Sequence, residues 1–85
     1  MNNHLVWIGT DVYVPYENIE MLTRYGLSTT KKLVKQAKEE CRLFDYSGGH
    51  VKETVAILKS GSVIITPAEL LRVLDEVKND SSSGL

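Results

Sequence analysis

Apolar and polar positions recur along this chain in two rhythms, one of period two and one of period 3.6, and together they mark short strands and two helices. His4 to Ile8 (His-Leu-Val-Trp-Ile), closed by Gly9, reads as a strand. Val12-Tyr13-Val14 reads as a second, with Pro15 marking its end or an exposed edge. Asn18 to Leu22 fits either a short helix or a strand, and strand is the preferred reading. Leu43 to Tyr46 returns to strand character before the Ser47-Gly48-Gly49 turn. Thr54 to Leu58 and Ser62 to Ile65 are the strongest strand segments, and the short Lys59-Ser60-Gly61 link predicts that they form a hairpin.

The helical rhythm is clearest from Ser28 to Arg42. Leu33, Val34, Ala37 and Cys41 fall on one face, good helix formers surround them, and Ser28, Thr29 or Thr30 can supply the cap. Further on, Thr66-Pro67-Ala68-Glu69 has the form of a helix start. Thr66 would stand at the N-cap, Pro67 at the first helical position, and Glu69 would reach back to complete a capping box. Leu70, Leu71, Leu74 and Val77 then form the buried face. The expected fold is α+β, a small mixed or antiparallel sheet of about five to six short strands with two helices, near 28–42 and 67–78. Residues 1–78 read as one domain, and residues 79–85 as a loose polar tail.

Length changes this picture by making the core thin. A chain of 85 residues buries only about 60% of its unfolded surface, and domains so small usually rely on a disulfide, a metal or a neighbouring subunit. Cys41 is the only cysteine, and His4 and His50 are the only histidines, all far apart in sequence. Neither an internal disulfide nor a metal site is expected, and no cofactor motif is present. Self-association is the remaining means of stabilisation, so a homo-oligomer is expected. A lone thiol, with no secretory signal or long apolar run, indicates a cytoplasmic protein that does not enter a membrane.

The net charge of −1 hides a strong asymmetry. Residues 1–23 hold Asp11, Glu17 and Glu20 with no Lys or Arg, whereas six basic residues between Arg24 and Arg42 face only Glu39 and Glu40. Lys31, Lys35, Lys38 and Arg42 are spaced four, three and four apart, within roughly 60° of one another on a helix. A row of cations so spaced can track a phosphate backbone. Lysine-rich surface helices are also common for solubility alone.

Other candidates are weaker. The Ser47-Gly48-Gly49-His50 turn lets a ligand backbone or phosphate approach closely, with His50 and Lys52 beside it; a plain inter-strand turn is the ordinary alternative. It lacks the lysine-plus-hydroxyl signature of a P-loop. No catalytic constellation is legible. Cys41 belongs to the apolar helix face, where a thiol is usually inert, and Asp45 with Glu53 is not a recognisable acid–base pair. The aromatics Trp7, Tyr13, Tyr16, Tyr25, Phe44 and Tyr46 suit core or interface packing better than base stacking.

A wider pattern then emerges. Ile8-Gly9, Val14, Ile19, the Lys31-to-Glu39 helix with Ala37, Leu43-x-Asp45, Gly49, Val55-x-Ile57 and Ser60-Gly61-x-Val63-Ile64 follow one another in order. This order resembles the RemA family of small bacterial regulators that activate genes for the biofilm matrix, from about Ile8 to Thr66. The resemblance implies a cytoplasmic DNA-binding transcription regulator that assembles into rings or arrays and lines up duplex DNA along a basic rim. It also implies basic residues at the positions of Lys31, Lys32 and Lys38.

Certain positions depart from the family. His50 and Val51 stand where the family has an Arg-Arg pair associated with DNA contact, and Glu53 and Asn18 replace two further arginines. The family's Pro-Glu also falls about one turn later. Histidine and valine cannot reproduce the bidentate contacts of an arginine pair. The expectation is therefore a non-enzymatic, oligomeric DNA-binding regulator gripping through Lys31, Lys32, Lys35, Lys38, Arg42, His50 and Lys52. The alternative is an oligomeric protein-interaction or scaffold module that has lost the DNA-contact arginines, presenting Glu17, Glu20, Asp75 and Glu76 to a basic partner.

Overall fold

The computed structural model describes residues 4–83, with side chains through Lys78. Six strands and two α-helices follow one another: β1 Leu5–Gly9, β2 Val12–Pro15, β3 Ile19–Arg24, α1 Ser28–Glu39, β4 Leu43–Asp45, β5 Thr54–Leu58, β6 Val63–Thr66 and α2 Leu70–Ser83. A single 3-10 turn, Tyr16–Asn18, leads into β3. The α+β expectation holds, but the strands form two sheets. β1 and β2 make a two-stranded antiparallel ribbon, while the larger sheet has the order β3-β5-β6-β4. β4 runs parallel to β6, and the other pairings are antiparallel.

The centre of the larger sheet is the predicted hairpin. Val55, Ile57, Val63 and Ile65 project to one side, where Val34 and Ala37 of α1 cover them. Ala56 and Ile64 project to the other, where the ribbon (Val6, Ile8, Val14) and Val73 of α2 cover them. Burial on both faces explains why β5 and β6 read as unbroken apolar runs rather than as alternating ones. The molecule is thus layered as helix, sheet, and then ribbon with helix. Helix α1 crosses the sheet between its two edges, from β3 to β4, and so presents its solvent side beside β4.

The ends of both helices differ from expectation. Leu27 occupies the N-cap of α1 with no side-chain cap. Ser28 and Thr29 are exposed, and Thr30 is buried with its hydroxyl 3.0 Å from that of Thr23. At the other end α1 stops at Glu39, three residues early. The Cys41 N–H donates to the Lys38 carbonyl at 3.2 Å and the Arg42 N–H to the Ala37 carbonyl at 2.8 Å. This pair of bonds is a Schellman stop, with Cys41 in the left-handed position at φ 59° that glycine usually fills. Cys41 is exposed, not packed on the apolar face as its spacing suggested.

The capping box at Thr66 does not form. Thr66 is the last residue of β6, and its hydroxyl donates to the Ile8 carbonyl at 2.7 Å. The helix begins instead at Leu70, and the Glu69 carbonyl accepts from the N–H groups of Arg72 and Val73, each at 3.1 Å. It then continues to Ser83, through most of the segment expected to be a loose tail; Gly84 and Leu85 lie outside the described residues. Among the described residues, no helix is long and apolar enough to cross a membrane.

Candidate nucleic-acid interface

The solvent side of α1 carries Lys31, Lys35 and Lys38, all exposed. Their spacing places them one above another, and here they border a depression of about 510 Å³ between the helix and the sheet. Lys52 enters the same depression from the loop between β4 and β5. That loop is held at both ends by backbone bonds to β6, Tyr46 N–H to the Ile65 carbonyl at 2.8 Å and Glu53 N–H to the Thr66 carbonyl at 3.1 Å. Two segments distant in sequence therefore converge their cations on one surface.

Below the lysines the lining is apolar, formed by Val34, Leu43 and Ile65. Tyr25 closes one side, with the Lys31 ammonium 5.8 Å from its ring centroid, within cation–π range. Asp45 is the single acidic residue of the lining, and its Oδ2 lies 3.7 Å from Lys52 Nζ. The other carboxylate oxygen accepts from the Ser47 hydroxyl at 2.6 Å and the Ser47 N–H at 2.9 Å. The Ser47 hydroxyl bond, aided by its N–H and the Lys52 charge, outweighs modest desolvation and holds the Asp45 carboxyl below its ordinary pKa. Asp45 stays ionised and keeps Lys52 beside the depression.

Three of the expected contact residues stand elsewhere. Lys32, one residue out of step with the stripe, is exposed but does not line the depression. Arg42 does not continue the stripe, because the helix has already ended. Its guanidinium is 2.7 Å from Glu40 and also donates to the Gly61 carbonyl, so it ties the end of α1 to the β5–β6 turn. The Glu40 carboxyl in turn is lowered in pKa by hydrogen bonds from Gln36 and then Arg42.

His50 is exposed at the Ser47–His50 turn and does not line the depression either. Its N–H donates to the Ser47 carbonyl at 2.9 Å, with Gly48 and Gly49 at φ 58° and 86° between them. Both central residues need positive φ, which is why two glycines stand there.

Tyr25 and Asp45 also line the depression, although the sequence suggests only packing for the first and no acid–base pair for the second. The Leu43-to-Tyr46 pattern puts Asp45 on a strand, but nothing local shows that this strand pairs with β6. Tyr25 could have been suspected from its place just before the α1 N-cap, where the first helical turn brings Lys31 back over it. Among the described residues, no group of three or more His, Cys, Asp or Glu side chains could hold a metal ion.

A comparison with curated proteins returns no match. A family model, by contrast, matches residues 5–75, from the first residue of β1 into α2, and so takes in both sheets and every residue that lines the depression. The chain belongs to the RemA-like family, described as extracellular matrix regulatory protein A-like.

Proposed function

We propose that this chain is a cytoplasmic, oligomeric regulator of transcription that grips duplex DNA through Lys31, Lys35, Lys38 and Lys52. The observation that carries this reading is the convergence of four cations, from α1 and the β4–β5 loop, around one depression with one carboxylate. Phosphate contacts of this kind position a protein on DNA without reading its sequence. Preference among sites would then come from DNA shape and deformability. Lys32 flanks the surface and adds to its field. His50 and Val51, at the nearby turn, offer no bidentate contact, so the lysines carry the electrostatic work.

Membership of a matrix-regulator family supports the regulatory role. Self-assembly is supported by the thin core and by β3 and β4 standing, among the described residues, at the two edges of the larger sheet. The decisive experiment is fluorescence anisotropy of a labelled duplex of about 50 base pairs at low and near-physiological salt. Four phosphate contacts per protomer give a log–log salt slope near −3.6, roughly 0.9 per contact. No binding at low salt refutes the reading.

A second reading has its own observation. On another face, Tyr16, Met21, Leu74 and Val77 line an apolar groove edged by Glu17, Glu20 and Lys59. Such a surface suits a protein partner and would support a scaffold role without DNA. Replacing Lys35 and Lys38 by Glu abolishes DNA binding under the first reading and leaves a partner at this groove undisturbed under the second.

A further inference from the structure

A duplex resting on the lysine rim leaves much of the depression unused. Its phosphates are outermost and its bases are stacked inside, so nothing in it reaches Val34, Leu43 and Ile65 beneath. Yet the apolar surface open to a ligand there is half-buried Leu43, lying over the buried Val34 and Ile65, with the half-buried Tyr25 ring beside it, and the whole holds about 510 Å³, within the range of small-molecule sites. Cations at the rim over an apolar, aromatic-walled floor ask for a ligand that is anionic at one end and flat and apolar at the other.

We propose that this depression binds a free nucleoside monophosphate. The phosphate takes the ammonium groups of Lys31, Lys35 and Lys38, and the base lies on the floor against Tyr25. Asp45 Oδ2 is not taken by Ser47 and can accept a ribose hydroxyl or base amino group, with Lys52 shifting toward the phosphate. Because the same lysines would serve DNA, the nucleotide acts as a competitor that releases the protein from the duplex. Only this last consequence rests on the DNA-binding reading; occupation of the depression does not.

The test uses the full chain labelled with nitrogen-15, titrated separately with adenosine monophosphate, adenosine, inorganic phosphate and a short single-stranded oligonucleotide. The expected result is that the nucleotide binds at least about tenfold more tightly than adenosine or phosphate alone. Its amide shifts should cluster at Tyr25, Lys31, Leu43, Asp45 and Lys52. Tyr25→Leu should erase the advantage over phosphate, and Lys35→Gln should weaken both. Phosphate binding as tight as the nucleotide shows that the floor contributes nothing and overturns the proposal. So does tighter binding of the oligonucleotide with a salt slope of several units, which marks a strand site. Absence of nucleotide shifts up to roughly 10 mM, a weaker affinity than any useful effector, overturns it as well. No DNA duplex enters this titration, so failure of duplex binding leaves its result unaffected.

Discussion

The Thr66 hydroxyl donates to the Ile8 carbonyl at 2.7 Å, and this buried bond joins the larger sheet to the ribbon. Ile8 sits at the bulge in the β1–β2 ladder, between the paired residues Trp7 and Gly9, and the side chain of a distant strand donates to its carbonyl there. The next residue explains how the two strands come so close. Gly9 has φ 136°, and a Cβ there would lie 2.5 Å from both Cβ and Oγ1 of Thr66. Only glycine permits that approach.

Thr66→Val keeps the branched shape but removes the buried hydrogen bond to the Ile8 carbonyl. The expected cost is about 1–3 kcal/mol, read as a lower urea midpoint with unchanged slope. Gly9→Ala should cost more, because it combines a steric overlap with a backbone conformation that alanine resists.

Cys41 invites the opposite change. It holds the left-handed position of the α1 stop without the freedom of glycine, so Cys41→Gly should stabilise the protein by about 1 kcal/mol. Cys41→Val, β-branched at the same φ, should destabilise it. Denaturant midpoints of the two variants check both signs.

Acid stability should depend on Ser47. The Asp45 carboxyl is held below its ordinary pKa in the folded state, chiefly by the Ser47 hydroxyl. Its contribution is therefore present above the unfolded value, about 4, and is lost as pH falls through the lower folded value. Ser47→Ala should raise the Asp45 pKa and shrink this acid-dependent loss. A carboxyl-carbon NMR titration of the variant beside the parent protein measures it directly.

Arg42 and Lys31 separate structure from binding. Lys31→Gln should reduce the salt slope of duplex binding by about 1 with little effect on stability. Arg42→Gln should leave that slope unchanged while lowering the urea midpoint, because its partners Glu40 and Gly61 belong to the protein itself. A reduced slope in Arg42→Gln would place its guanidinium on DNA after all.

What the sequence by itself determined is whatever depends on neighbours close along the chain. The β5–β6 hairpin was legible because two apolar runs flank a short glycine link, and each strand is buried on both faces. The Lys31, Lys35 and Lys38 row was legible because helical spacing alone aligns it. The ordered pattern from Ile8 to Thr66 carried the family. Tertiary structure decided the rest, and for one physical reason: long-range contacts outweigh local preferences of similar or smaller size. Thr66 has the residues of a capping box around it, yet its hydroxyl is claimed by Ile8, 58 positions away. Arg42 has the right spacing for the cationic row, yet a helix stop without glycine turns it toward Gly61. Lys52 joins the row only because α1 crosses the sheet to bring β4 alongside β6. No local pattern records that crossing, since its stability comes from apolar surface shared between segments that are distant in sequence.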